Sequence, residues 1–336
     1  MYFIIIYMNC QYLTIKQLLM RYGFMTEIIK NIFNVKKNVT ISQIAFEWLR
    51  ANQNSFKRST YQTYECIIKK YIVNSSLDNM HIEKLNISKY VSFSEQLLSN
   101  GLAPKTVNDI ILILNSLLKH ANKYFNIETV TAPYVKELKK EMRVLSVTEQ
   151  NLFETYLYND MDNFKFAALI SLYTGIRIGE LCALQWKDIR NGTIKINKTL
   201  HRLKDENGKS TIFIDSPKTF HSNRTIPIPL FLNSIVEDRR SNPESYVISN
   251  ELIKVIEPRL MQIKFKKMTS ECGLDNVTFH TLRHTFATRC VECGFDIKSL
   301  SEILGHADVK TTLNRYVHSS MELKQANMNK LNKIAM

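Results

Sequence analysis

Between residues 40 and 125 apolar positions recur at intervals of three and four, the spacing that lines one face of a helix. Four segments carry the pattern. The first, TISQIAFEWLRAN, opens with Thr40 or Ser42 as a cap; the second, KRSTYQTYECIIKKYI, sets aromatics at Tyr61, Tyr64 and Tyr71. The third, NISKYVSFSEQLLSNG, closes on Gly101. In the fourth, APKTVNDIILILNSLLKHANKYF, Val107, Ile110, Ile111, Leu114, Leu117, Leu118 and Ala121 form one stripe. Four helices of this size make an all-helical domain, assigned to 38–128, preceded by a poorly ordered leader at 1–37.

The periodicity lapses in VTAPYVKELKKEMRV, which holds Pro133 and a charged run, so residues 129–144 read as a linker. LSVTEQNLFETYL restarts a helix with a capping box from Ser146 to Glu149. Two more helical runs follow, NFKFAALISLYTG and IGELCALQW. The pattern then switches to the strand-like segments GTIKINKTL, STIFID and NRTIPIP. KDENGK separates the first two, and its Asn-Gly pair marks a hairpin turn. Beyond SYVIS the chain is helical again. The second domain, 145–318, is therefore α+β. The tail, 319–336, reads as a helix through Met321, Leu323, Met328, Leu331 and Ile334. The fold class is mainly α with a small antiparallel β-sheet.

Composition adds a partner class. A chain of 336 residues is long for one core, and 45% hydrophobic with 23% charged residues describes a folded protein. Its 45 Lys+Arg against 31 Asp+Glu leave a net charge of +14, which favours a polyanion: nucleic acid first, an acidic membrane second. Residues 30–143 alone hold 17 basic against 9 acidic side chains. Lys57, Arg58, Lys69, Lys105 and Arg224 are the expected DNA-contacting positions. The apolar start, MYFIIIYMNC, is too short to span a bilayer and lacks the basic flank of a signal peptide. Six scattered cysteines, two of them in CVEC, read as reduced, buried thiols of a cytoplasmic protein.

The candidate chemistry lies in HTLRHTFATR. His280 and His284 share a helical face, and with His306 they would offer three imidazoles to a metal. Position 281 is Thr where a metalloprotease helix has its glutamate, and Arg283 sets a fixed positive charge beside the site, so no metal is assigned. Phosphate fits better. Arg283 presents a planar fork suited to two oxygens, and Arg177, opening a helix in TGIRIGEL, supplies a second. A tyrosine with a pKa of about 10 becomes a nucleophile when a base or cations relieve it of its proton. Tyr316, shortly after LGH, is the best placed of 15 tyrosines.

TGIRIGEL, SPKTFHSNRTIPIP, HTLRHTFAT and ILGHADVKTTLNRY, in that order, resemble the tyrosine recombinase (phage integrase) family. The resemblance covers the catalytic domain, and the basic helical segment before it is similar to that family's core DNA-binding domain. It implies that Tyr316 attacks a DNA phosphodiester, leaving a 3′-phosphotyrosyl enzyme and a free 5′-hydroxyl, without ATP, metal or other cofactor. In the implied roles Arg177 and Arg283 clamp the phosphate, His280 takes the proton of Tyr316, and His306 bonds the transferring group. Lys218 protonates the leaving oxygen, with Lys204 and Lys209 also flanking the preceding turn. His284, against a buried carbonyl, and Glu180 support the fold. The implied partners are double-stranded DNA, three further copies in a homotetramer, and an accessory DNA-bending or directionality protein. The tail docks on a neighbour or on its own domain. The implied function is integration and excision of a mobile element; the alternatives are a chromosome-dimer or transposon recombinase, a type IB topoisomerase-like relaxase, and an inactive DNA-binding relative. Some 37 residues precede the first core helix and show no clear fold, so the protein is expected to lack the arm-binding domain that integrases of phages and conjugative elements often carry, or the gene to be cut short.

Overall fold

The structure, a computed structural model, describes residues 39–125, 127–138, 142–205, 208–215, 223–249 and 255–316, with positions 325, 328 and 329. The leader at 1–37, the turn carrying Lys218, and nearly all of the tail lie outside them. The chain divides into two compact units, Met1–Lys139 and Lys140–Met336.

The first unit holds α1 (Ile41–Ala51), α2 (Arg58–Ile67), α3 (Ile87–Ser99) and α4 (Pro104–Phe125). Thr40 caps α1 reciprocally: its hydroxyl accepts from the Gln43 amide while the Gln43 side chain accepts from the Thr40 amide. A π-helical turn, Ile68–Ile72, continues α2 and turns Ile68 and Ile72 fully inward. All seven apolar positions of the α4 stripe are at most 3% exposed. The larger six contribute roughly 10 kcal/mol or more of gross burial, most of it offset by chain entropy.

Two polar residues interrupt that stripe. Asn108 and Asn115, two turns apart, each exchange a pair of hydrogen bonds with an extended backbone segment. Asn115 accepts from the Ala132 amide at 2.8 Å and donates to its carbonyl at 3.1 Å. Asn108 does the same to Val135 at 2.8 and 2.9 Å. Residues of the expected linker as far as Val135 are therefore strapped to α4, because the two carboxamides satisfy backbone groups as a neighbouring strand would.

The second unit begins with α5 (Val147–Tyr158), whose capping box pairs Ser146 with Glu149. Next comes α6 (Asn163–Thr174), which is apolar on every side and runs through the core. Gly175 ends it in the left-handed region, with φ +62°. The following helix, α7 (Ile178–Cys182), is shorter than its apolar pattern predicts. A 3-10 turn at Trp186–Asp188 replaces its second half, with the Asp188 carboxylate accepting from the Gln185 amide.

Five short strands follow: β1 (Ile189–Arg190), β2 (Thr193–Ile196), β3 (Thr199–Lys204), β4 (Ser210–Asp215) and β5 (Arg224–Pro227). They make two antiparallel sheets among the described residues, β1-β2-β5 and the hairpin β3-β4, where one was expected. Helices α8 (Leu230–Asp238), α9 (Pro258–Glu271), α10 (Phe279–Glu292), α11 (Ile297–Leu304) and α12 (Val309–Tyr316) complete the unit. α10 packs along α6, and Phe265 of α9 meets Phe153 of α5 and Phe279 of α10 edge-on. No helix among the described residues is long and apolar enough to cross a membrane. Cys182 and Cys290 are buried as expected, whereas Cys66 and Cys293 are exposed.

Candidate active site

A helix leaves its last carbonyls without intrahelical donors and its C-terminus partly negative. At the end of α11 three arginines meet that need. Arg224 Nε donates to the Ile303 carbonyl at 2.6 Å, Arg283 Nη2 to Leu304 at 2.6 Å, and Arg177 Nη2 to Gly305 at 3.1 Å. The donors come from three distant places: β5, α10 and the N-cap of α7. Gly305 turns left-handed with φ +66°, and His306 follows at once. Arg283 also donates to the Gly175 carbonyl at 2.7 Å, joining the end of α6 to the end of α11.

One carboxylate serves this cluster. Glu180, 4% exposed, accepts from the Arg177 amide at 3.0 Å, Arg177 Nη1 at 2.9 Å, and Arg224 Nη1 and Nη2 at 3.0 and 2.8 Å. Burial alone would push its pKa up. The hydrogen bonds and charge of Arg224, with the charge of Arg177, outweigh burial and hold the carboxyl below its ordinary range. Burial and then the neighbouring charges of Arg177 and Arg224 press Arg283 down to about 9, still a cation at neutral pH. Three guanidinium groups against one carboxylate leave an excess of positive charge. Only Arg177 among them keeps about a third of its side chain in solvent. The cluster is a positively charged recess with one open side.

Tyr316 closes α12 and is 6% exposed, in a cluster with Ala287, Cys290, Leu300 and Leu304. Its hydroxyl shares a 2.8 Å hydrogen bond with His284 Nδ1. His306, whose Nδ1 meets the Thr312 hydroxyl at 2.8 Å, lies parallel to the Tyr316 ring with centroids 6.5 Å apart. His280 stands edge-on to His284 at 4.4 Å and faces a groove of about 720 Å³. Arg259, Gln262, Lys266 and Arg283 share that groove.

The structure therefore gathers Arg177, Arg283, His306 and Tyr316, with His280 one ring removed from the tyrosine. Lys218 falls outside the described residues. Lys57, Arg58, Lys69 and Lys105 are exposed on the first unit, Lys69 paired with Glu65 and Lys105 with Asp109. Two placements differ from expectation. Arg224, expected on a DNA-facing surface, is 9% exposed and spends its fork on Glu180. Alternation along β5 puts it on the same inward face as Ile226, a signal legible in RTIPIP. His284, assigned to a buried carbonyl, meets the Tyr316 hydroxyl.

The phage integrase family model matches residues 147–322. This chain belongs to that family. Among relatives, the integrase of Staphylococcus phage L54a is 28% identical over 352 residues, spanning 92% of this chain and 98% of that one. A tyrosine recombinase XerC-like protein of Caldanaerobacter subterraneus is 27% identical, over 86% of this chain and 82% of its own. The integrase-family fold also appears in the Tn1549 transposon integrase in complex with a circular intermediate DNA. That structure superposes with a TM-score of 0.75 at 22% identity, over 87% of this chain and 99% of that one.

Proposed function

We propose that this integrase-family protein is a site-specific DNA recombinase that integrates and excises a mobile element, breaking and rejoining DNA through Tyr316. The observation that carries the reading is the attachment of Arg177 and Arg283 to consecutive carbonyls, one residue before His306, with the Tyr316 ring parallel to that histidine. The two forks lie close enough to share one phosphate.

In this mechanism the scissile phosphate enters the positive site, and Arg177 and Arg283 hold its non-bridging oxygens as charge builds there. Loss of one such preorganised donor costs about 10²–10³ in rate. The Tyr316 proton passes to His284, whose Nδ1 already lies within hydrogen-bond reach. The phenolate oxygen bonds to phosphorus, the bond from phosphorus to the 5′-oxygen breaks, and that oxygen takes up a proton, in the family-derived role from Lys218. His306 steadies the transferring phosphoryl group. A 5′-hydroxyl from a partner strand then attacks the phosphotyrosine and releases Tyr316, so bond energy is conserved. Pairwise exchange requires four copies around two duplexes. Exposed Lys57, Arg58, Lys69 and Lys105 give the first unit charge with which to grip DNA.

A suicide duplex, nicked just 3′ of the scissile phosphate so that the short piece bearing the new 5′-hydroxyl diffuses away, tests the reading. Wild type is expected to accumulate a covalent protein–DNA adduct and Tyr316→Phe none, with equal affinity for the duplex. An adduct that survives Tyr316→Phe moves the nucleophile elsewhere.

A further inference from the structure

We infer that Arg224 is a positioning residue: it sets the geometry of Arg177 by locking both of the groups to which Arg177 is tethered. The inference rests on the recombinase reading above and adds a residue to its machinery. Arg177 is held at two points, Glu180 and the Gly305 carbonyl. Arg224 grips the first directly, one Nη on each Glu180 oxygen, which fixes the plane of that carboxylate. It grips the second through Ile303, two residues before Gly305 on the same helix end. Each Glu180 oxygen thus serves one Arg224 nitrogen and one group of Arg177.

Residue chemistry explains why arginine stands there. The rigid guanidinium offers donors in three directions in one plane, which the bidentate bond to Glu180 and the separate bond to Ile303 use together. A lysine keeps the charge but is a point donor on a flexible stem, so it cannot hold the carboxylate plane and the helix end at once. At 9% exposure Arg224 touches the reaction only through its neighbours.

The test is a double-mutant cycle on the single-turnover rate of adduct formation at saturating suicide duplex, with duplex affinity and melting temperature measured in parallel. Arg224→Lys is expected to slow adduct formation by up to about 100-fold, as a displaced catalytic group does. Its affinity for duplex should stay within about twofold, since the geometry around the scissile phosphate and not DNA grip is what changes. In an Arg177→Ala background the same change should cost less than about threefold, because the group it positions is gone, while its effect on melting temperature persists. Losses that multiply in the double mutant, or a full rate in Arg224→Lys, overturn the inference. If Arg224→Lys fails to fold, Glu180→Asp serves: it withdraws the carboxylate by one methylene and must show the same dependence on Arg177. Absence of any adduct with wild type strikes the recombinase reading instead, so the two failures are distinct.

Discussion

Replacing Glu180 by glutamine preserves shape and removes one negative charge from beneath three guanidinium groups. The carboxylate accepts four hydrogen bonds, two from Arg177 and two from Arg224. A carboxamide keeps one acceptor oxygen and turns an NH₂ toward a guanidinium that can only donate, so the arginine donors on that side lose their acceptor. Arg224 and Arg283, 9% and 3% exposed, then lose the negative charge that offsets their own. Breaking a buried pair in this way costs about 3–5 kcal/mol. For a unit of this size that lowers the melting temperature by roughly 6–20 °C. Glu292→Gln is the control, since its pair with Arg289 is about half-exposed on the glutamate side and worth under about 1 kcal/mol. The assay is thermal unfolding followed by circular dichroism at neutral pH and again in acid. The folded-state pKa of Glu180 is lowered, so its contribution is complete above the ordinary value of 4.5 and fades as pH falls through the lower folded value. The gap between wild type and Glu180→Gln should therefore narrow in acid. Equal shifts for Glu180→Gln and Glu292→Gln at pH 7 would refute the reasoning.

His284→Ala should slow adduct formation by about 10²–10⁴ without loss of DNA affinity, as expected for a lost proton acceptor. A wild-type rate would return that role to His280. Gly175→Ala sets a Cβ at φ +62° and within 2.5 Å of the Phe286 ring. A shift of the urea midpoint worth about 2–4 kcal/mol is expected from the left-handed strain and the overpacking together, and an unmoved midpoint contradicts it. The Arg143 hydrogen bond and the Ser146 cap hold the Glu149 carboxyl down at about 2. Discounted for solvent, this gives about 1 kcal/mol of stability that is complete above pH 4.5 and lost as pH falls toward 2, a dependence that Glu149→Gln should abolish. DNA affinity, measured by anisotropy, should fall with salt by about −0.9 on the log–log slope for each neutralised phosphate; a flat plot would deny the first unit its electrostatic grip.

What could be read in advance was whatever periodicity and capping encode. The α4 stripe and the Ser146–Glu149 box stand as expected because side-chain burial and local hydrogen bonds follow residue type directly. The strap at Ala132 and Val135 falls within the segment expected as a linker; Asn108 and Asn115 sit seven apart on an apolar face, where an amide requires a partner. The place of Arg224 follows the alternation of its strand, not its charge. The convergence on residues 303–305 had no such signature, because its acceptors are main-chain carbonyls that any sequence supplies.

That anonymity explains the form of the LGH stretch. Since Ile303, Leu304 and Gly305 hold the arginines through their backbones, the spacing of the forks is set by the rise of one residue and the turn that follows. The side chains remain free for other work. Leu304, fully buried, packs in the same cluster as Tyr316 and so ties α12 to the carbonyl that holds Arg283. Glycine is required next because a left-handed residue must turn the chain before His306, and a β-branched residue there would resist φ +66°. A Gly305→Val variant should therefore move the Gly305 carbonyl off Arg177 and carry His306 with it. Adduct formation should fall at least as far as in Arg177→Ala, with DNA affinity held. A rate above that of Arg177→Ala would mean that the carbonyl row does not govern the arginine geometry.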